Sequence, residues 1–270
     1  MAYYHGSIRS SVLEMDTTVN VIIPEEHYVN AKSENRTVIL LHGLKQNADA
    51  WMRMSQAEIY AHYSGFNMII PEVQRSFYAD MPYGINYFTY ITQELPEMMR
   101  KTFRIPMDRE HLYVAGLSMG GYGAIKCALS YPDCFAGAMS YSGGLITLDN
   151  SETIHSLMTD GELMAILGDD MKVSPENDLM ALAEKCASAE KKPWLYIACG
   201  TEDGLLSHSR TFARYAKELG YPLTYEEWPG VHDWFFWDRA LARSLAHICN
   251  LQAHDINALD NDEEIQQGLL

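Results

Sequence analysis

Positive charge is scarce in this chain: 20 Lys and Arg stand against 36 Asp and Glu, a formal net charge of −16. That imbalance disfavours nucleic acid and anionic membrane surfaces as partners, because both are polyanions. Long apolar runs are missing as well, and none approaches the roughly 18 residues a helical membrane span needs. The opening Met1-Ala-Tyr-Tyr-His-Gly-Ser7 has neither the basic stretch nor the apolar segment of a secretory signal. Five cysteines, at 127, 134, 186, 199 and 249, are an odd number without paired spacing, so no disulfide framework is expected. Cys127 and Cys199 fall in apolar contexts and read as small core residues. These features lead to the expectation of a reducing cytoplasm. The ten histidines include no H-x-H or H-x-x-x-H spacing, so no metal or other cofactor is expected.

What is present is the alternation of a single α/β domain over residues 1–252 of the 270. The runs 8–15 and 18–24 are β-rich and separated by Asp16-Thr17, which predicts a hairpin with its turn there. Short buried-strand runs follow at 37–41, 67–70, 111–115, 135–141, 194–199 and 223–228, with 30–36 a polar linker. Helical spacing occupies 51–64, 87–103, 121–130, 176–187, 207–219 and 234–251, and Pro96 should kink the second of these. Ser174-Pro175-Glu176 has the form of an N-cap followed by proline at the first helical position. A hairpin followed by alternating strands and helices predicts a mostly parallel eight-stranded sheet with helices on both faces. A short cap-like insertion, about 143–175, follows the sixth strand. Residues 253–270 form an acidic tail with five carboxylates and no Lys or Arg, either solvated or docked.

The most informative segment is Gly116-Leu-Ser-Met-Gly-Gly121, a G-x-S-x-G between a strand and a helix. A serine hydroxyl becomes a useful nucleophile when a sharp turn displays it beside a base and backbone N–H donors. Ser118 is therefore the candidate nucleophile. With the fifth strand before it, the layout is that of the α/β-hydrolase fold, where the partners follow in the order Ser, Asp or Glu, His. The loop Gly200-Thr-Glu-Asp-Gly204 carries Asp203, favoured over Glu202 because a short acid before glycine suits a tight turn. The loop Pro229-Gly-Val-His-Asp-Trp234 carries His232, while Asp233 is too close along the chain to orient that ring. His42 reads as a packed turn histidine, and His208 falls in the next helix. Two oxyanion donors are expected, the N–H of Met119 and the N–H of Leu44, with Gly43 permitting an unusual backbone angle.

The acyl pocket is expected to involve residues 76–88, including Phe77, Tyr78, Tyr83, Tyr87 and Phe88, and the insertion residues Ile154, Leu157, Met158, Leu163, Met164 and Leu167. Trp234 and Trp237 should pack behind His232, and Trp234 is also a candidate substrate contact. The insertion is too short for a large lid, so an open site for small esters is expected.

Taken together, His42-Gly-Leu44 with Asn47 and Trp51, the Ser76-Phe-Tyr-x-Asp80 segment, the Ser118 elbow, Cys199-Gly-Thr-Glu-Asp203 and Gly230-Val-His232-Asp-Trp-x-x-Trp237 resemble the esterase D-like branch of the α/β-hydrolases, bacterial tributyrin esterases most of all. The resemblance covers about residues 7–250. It implies hydrolysis of short-chain carboxylic esters, with Ser118, Asp203 and His232 as the triad. The chain lacks the longer Trp-containing opening associated with S-formylglutathione hydrolases and the export signal of mycolyltransferases. An acyltransferase or a feruloyl- or acetylxylan-type carbohydrate esterase would use the same triad. A peptidase lacks a partner domain here, and a binding protein on an inactive hydrolase fold predicts a broken triad. The expected partner is a small-molecule ester, and a homo-oligomer is compatible with the composition.

Overall fold

The computed structural model describes residues 1–25, 35–146, 148, 152–251 and 266–267. Among these described residues, nine strands form one sheet: β1 (Ala2–Arg9), β2 (Asp16–Ile23), β3 (Thr37–Leu41), β4 (Asn67–Pro71), β5 (Leu112–Leu117), β6 (Gly137–Tyr141), β7 (Trp194–Gly200), β8 (Leu223–Trp228) and β9 (Gln266–Gln267). Their spatial order is β1-β2-β4-β3-β5-β6-β7-β8-β9. From β4 through β3 to β8 every pairing is parallel, and β1, β2 and β9 add antiparallel edges. The eight expected strands are all there. The ninth is a two-residue piece of the acidic tail, paired with Glu226 and Glu227 of β8. The rest of that tail, and with it His254, lies outside the described residues, as do His27 and most of the polar linker.

The short apolar runs are strands because both their faces are covered. In β3, Val38 and Leu40 join one core, while Ile39 and Leu41 join the other. The first core holds α1 (Ala50–Met54), α2 (Ala57–Ser64) and α10 (Trp234–Cys249). The second is built on α4 (Leu95–Phe103), α5 (Met119–Ser130), α8 (Leu179–Cys186) and α9 (Leu206–Glu218). Between α5 and α8 come α6 (Glu152–Leu157) and α7 (Asp160–Leu167), two short helices of the insertion.

Three local expectations need correction. The hairpin turn is residues 10–15, not Asp16-Thr17, so the first strand lies six residues earlier than its β-rich reading suggested. Glu94 decides this, since its carboxylate accepts from the Ser10 hydroxyl and from the Ser11 N–H at 2.7 Å, while Leu13 tucks into the core. The helix expected over 51–64 breaks at extended Ser55, and the Asp238 carboxylate accepts the Gln56 N–H at 2.7 Å to start α2. The helix expected over 87–103 has those limits, built from α3 (Tyr87–Thr89), a π-helical turn, Tyr90–Glu94, and α4. Proline cannot donate to the preceding turn, and widening the helix there accommodates its ring. Finally, α8 is capped by Asp178, which accepts from the Met180 N–H at 2.9 Å, so Ser174-Pro175-Glu176 forms a turn instead.

An unexpected feature is that β8 buries two carboxylates. Glu226 accepts hydrogen bonds from Arg243 Nε at 3.0 Å and Nη2 at 3.1 Å, from His247 Nε2 at 3.0 Å and from the Tyr196 hydroxyl at 2.6 Å. Burial alone would raise its carboxyl, but His247 and Arg243 outweigh burial and hold it at about 2. Glu226→Gln keeps the shape but removes the carboxylate charge from its buried pairing with Arg243, which should cost about 3–5 kcal/mol in urea unfolding at neutral pH. The folded value is depressed, so this stabilisation is present above the ordinary 4.5 and lost as pH falls toward about 2. The difference between wild type and variant should therefore shrink on acidification. A difference that stays constant over that window would show that the charge is not what matters.

Candidate active site

Ser118 sits where β5 ends and α5 begins, at φ 55° and ψ −118°. A non-glycine residue rarely adopts such a conformation, and it persists here because the surrounding backbone holds it. The Ser118 N–H donates to the Tyr141 carbonyl at 2.9 Å, and its own carbonyl accepts from Gly144 N–H at 3.1 Å and Tyr122 N–H at 3.2 Å. Gly120 makes the turn possible: a Cβ there would lie 2.3 Å from the Leu41 carbonyl oxygen. The first turn of α5 thus sits directly against the end of β3.

The loops after β7 and β8 deliver two partners to the same sheet edge. His232 Nε2 is 3.0 Å from Ser118 Oγ, and its Nδ1 is 2.9 Å from Asp203 Oδ2. A carboxylate can only accept, so Nδ1 carries the hydrogen and Nε2 presents its lone pair to the serine hydroxyl. Asp203 is buried and also accepts the Leu205 N–H at 2.8 Å. Burial raises its carboxyl, but the His232 interaction and the Leu205 N–H outweigh that and hold it below the usual range. Glu202, the rival acid, turns away: it accepts the Gly230 N–H at 2.6 Å and so fastens the loop carrying His232. Asp233 caps α10 through the Phe236 N–H at 3.1 Å. His208 lies on α9.

The turn expected to supply one oxyanion donor is made of His42, Gly43 and Leu44. His42 is fully buried, and its Nδ1 lies 2.9 Å from the Gly43 carbonyl oxygen, so that nitrogen must be the donor. The same peptide plane carries the Leu44 N–H, which in a trans peptide points opposite to the carbonyl. Holding the Gly43 oxygen to the ring therefore turns the Leu44 N–H the other way. Gly43 is not among the glycines with positive φ. Its lack of a side chain matters for space, since a Cβ would come within 2.8 Å of Leu117.

A cavity of about 600 Å³ opens over Ser118, with Leu44, Met119, Phe77, Asp203 and His232 in its lining. Of the expected pocket residues, Phe77 lines it, but Tyr78, Tyr83 and Trp234 do not. Tyr78 is fully buried beneath, Tyr83 is exposed and donates to Asp169, and Trp234 stacks edge-on against Trp51 and Trp237. Of the insertion residues, Ile154, Met158 and Leu163 are core, while Leu157 and Thr153 face the cavity. Trp237 both packs edge-on against the His232 ring at 4.9 Å and lines the cavity. Lys45, Gln46 and Leu205 were not anticipated, and their only signal was adjacency to Leu44 and Asp203. Arg75 ties the insertion down, donating to Glu162 at 2.5 Å and to the Leu157 carbonyl at 2.7 Å. Among the described residues, no cluster of three or more His, Cys, Asp or Glu could hold a metal, and no helix is long and apolar enough to cross a membrane.

Fold and site together define a serine hydrolase of the α/β-hydrolase fold. The model of the Esterase family, described as "Putative esterase", matches residues 10–248, and the chain belongs to that family. It is 30% identical over 265 residues to an acetyl esterase of Caldicellulosiruptor saccharolyticus, covering 91% of this chain and 97% of that one. Among solved structures it is similar to the fluorophosphonate-binding serine hydrolase FphF of Staphylococcus aureus, with a TM-score of 0.82, 33% identity and coverage of 92% and 98%. The S-formylglutathione hydrolase FrmB of the same organism is similar at a TM-score of 0.79 and 33% identity, with coverage of 92% and 99%.

Proposed function

We propose that this enzyme hydrolyses short-chain carboxylic esters through an acyl-enzyme on Ser118. The observation that carries the reading is the continuous hydrogen-bonded chain from Ser118 through His232 to Asp203, opening onto a cavity. In this reading His232 takes the serine proton as Oγ attacks the ester carbonyl, and the oxyanion forms against the N–H groups of Leu44 and Met119. The alcohol leaves with the proton from His232. Water, activated by the same imidazole, then releases the acid. Asp203 holds the tautomer that makes the first proton transfer possible. No cofactor takes part.

A small acyl group fits the size of the cavity, which is in the lower half of the usual range of about 300–1,000 Å³ for ligand sites. The acetyl esterase among the relatives is consistent with that preference. Residues 1–252 act as one catalytic unit in this reading, and the cysteine pattern suits a cytoplasmic location.

A p-nitrophenyl ester series from acetate to decanoate tests the acyl preference. The specificity constant should be highest between acetate and butyrate and fall steadily toward decanoate. A maximum at octanoate or beyond would overturn the short-chain assignment. Acetylated xylan, methyl ferulate and S-formylglutathione, run alongside, report the carbohydrate-esterase and thioesterase alternatives. Product analysis with a competing alcohol separates hydrolysis from acyl transfer.

A further inference from the structure

Tyr78 was a candidate pocket residue by sequence, yet its side chain is fully buried and outside the cavity lining. Phe77, its neighbour, does line the cavity. Both have left-handed backbones, Phe77 at φ 47° and Tyr78 at φ 52°. Two consecutive aromatic residues in that region are strained, and such strain persists only where neighbours over-determine it.

Three contacts hold Tyr78 in place, each on a different part of the site. Its hydroxyl donates to the His42 carbonyl at 2.8 Å, at the start of the oxyanion turn. Its own carbonyl accepts from Lys126 Nζ at 2.8 Å, on α5, the helix that Ser118 opens. Its ring lies against Gly123 of the same helix, where a Cβ would come within 2.4 Å of the ring. Lys126 is itself buried, with its Nζ 2.7 Å from Asn177 Oδ1 and 4.2 Å from the centre of the Phe88 ring.

We infer that Tyr78 is a positioning residue for the oxyanion hole, its hydroxyl locking the His42–Leu44 turn to the elbow helix and to the Phe77 wall. The inference rests on the assignment of Leu44 and Met119 as oxyanion donors. One donor belongs to the turn and the other to the first turn of α5, so their spacing depends on what joins the two elements. Gly120 joins them by backbone packing, and Tyr78 joins them by a side chain. The His42 ring sets the direction of the Leu44 N–H, and the Tyr78 hydroxyl holds the carbonyl of that same histidine. Without the hydroxyl the turn keeps its ring contact and the Gly120 packing but loses its side-chain tie to α5.

Tyr78→Phe tests this by removing one oxygen atom. Losing an oxyanion donor outright costs about 10²–10³ in kcat, so misalignment should lower kcat roughly 10- to 100-fold. KM for p-nitrophenyl acetate should stay within about twofold, because the donors act on the developing oxyanion. The inhibition constant of a trifluoromethyl ketone, which forms a tetrahedral adduct on the serine, should rise in proportion to the fall in kcat. Tyr221→Phe is the matched control, since that buried hydroxyl donates to the Ala183 carbonyl at 2.7 Å, outside the site. It should leave all three readouts unchanged.

Fluorophosphonate labelling of Ser118 provides a readout independent of any ester substrate. The serine oxygen bonds to phosphorus, fluoride leaves, the proton passes to His232, and the phosphoryl oxygen occupies the oxyanion hole. Labelling that is slowed about tenfold or more in Tyr78→Phe supports the inference. Wild-type labelling with an unchanged rate in the variant overturns it and leaves the esterase reading standing. Absence of labelling in the wild type overturns both. If Tyr78→Phe loses its cooperative unfolding transition, Lys126→Met, which frees the Tyr78 carbonyl, carries the same test with the same outcomes.

Discussion

Ser118→Ala is expected to lower kcat for p-nitrophenyl acetate by on the order of 10⁶-fold while leaving the protein folded. The size follows from the loss of the attacking atom: binding and the oxyanion donors remain, but no acyl-enzyme can form. The folded state should hardly notice, because Ser118 Oγ makes its hydrogen bond to the partly exposed His232 and fills no core space. Alanine also tolerates the φ of 55° about as well as serine does. Thermal unfolding should therefore match wild type closely, and fluorophosphonate labelling should vanish. Activity within about a hundredfold of wild type, measured on protein free of wild-type contamination, would move the nucleophile elsewhere.

Asp203→Asn should lower kcat by about 10⁴-fold with little change in KM, an effect of proton placement more than of charge. The carboxylate accepts from His232 Nδ1 at 2.9 Å and from the Leu205 N–H at 2.8 Å. The second bond fixes Oδ1 as an acceptor in the variant too, which leaves the amide NH₂ facing His232. An amide donor selects the tautomer with hydrogen on Nε2, and that nitrogen then faces the Ser118 hydroxyl without a free lone pair. Glu202 cannot substitute, because both its oxygens are engaged, one by the Gly230 N–H and one by the Thr201 hydroxyl. Full activity in Asp203→Asn would show that another group sets the tautomer.

The sign of the pH dependence follows from the same contacts. Asp203 has a folded value below the usual 3.8, so its contribution is complete above that value and lost only as pH falls through the lowered one. A fall in kcat/KM on mild acidification is therefore not a titration of Asp203.

Much of the frame was legible because its signals are local. A strand buried on both faces reads as a short apolar run, as at Thr37–Leu41 and Leu223–Trp228, where the expected and observed limits coincide. A strand, a glycine-rich turn and a helix in sequence mark the Ser118 elbow, and the order of later strand-end loops points to Asp203 and His232. What failed at that level depended on distant partners. The turn at residues 10–15 is held by Glu94, and the break at Ser55 is completed by Asp238. The fate of the aromatic segment was equally hidden. Phe77, Tyr78 and Tyr83 look alike in sequence, yet one faces the cavity, one is buried beneath it and one is exposed.

The chain alone therefore determined the sheet, the elbow and the types of residue that could complete a serine nucleophile, because periodicity and turn chemistry act over a few residues. Tertiary structure alone decided that Ser118, His232 and Asp203 share one hydrogen-bonded line, and that Glu202 fastens a loop. It also decided that the Tyr78 hydroxyl meets the His42 carbonyl, because a hydroxyl 36 positions from His42 finds that carbonyl only when β3, α5 and the segment after β4 pack together.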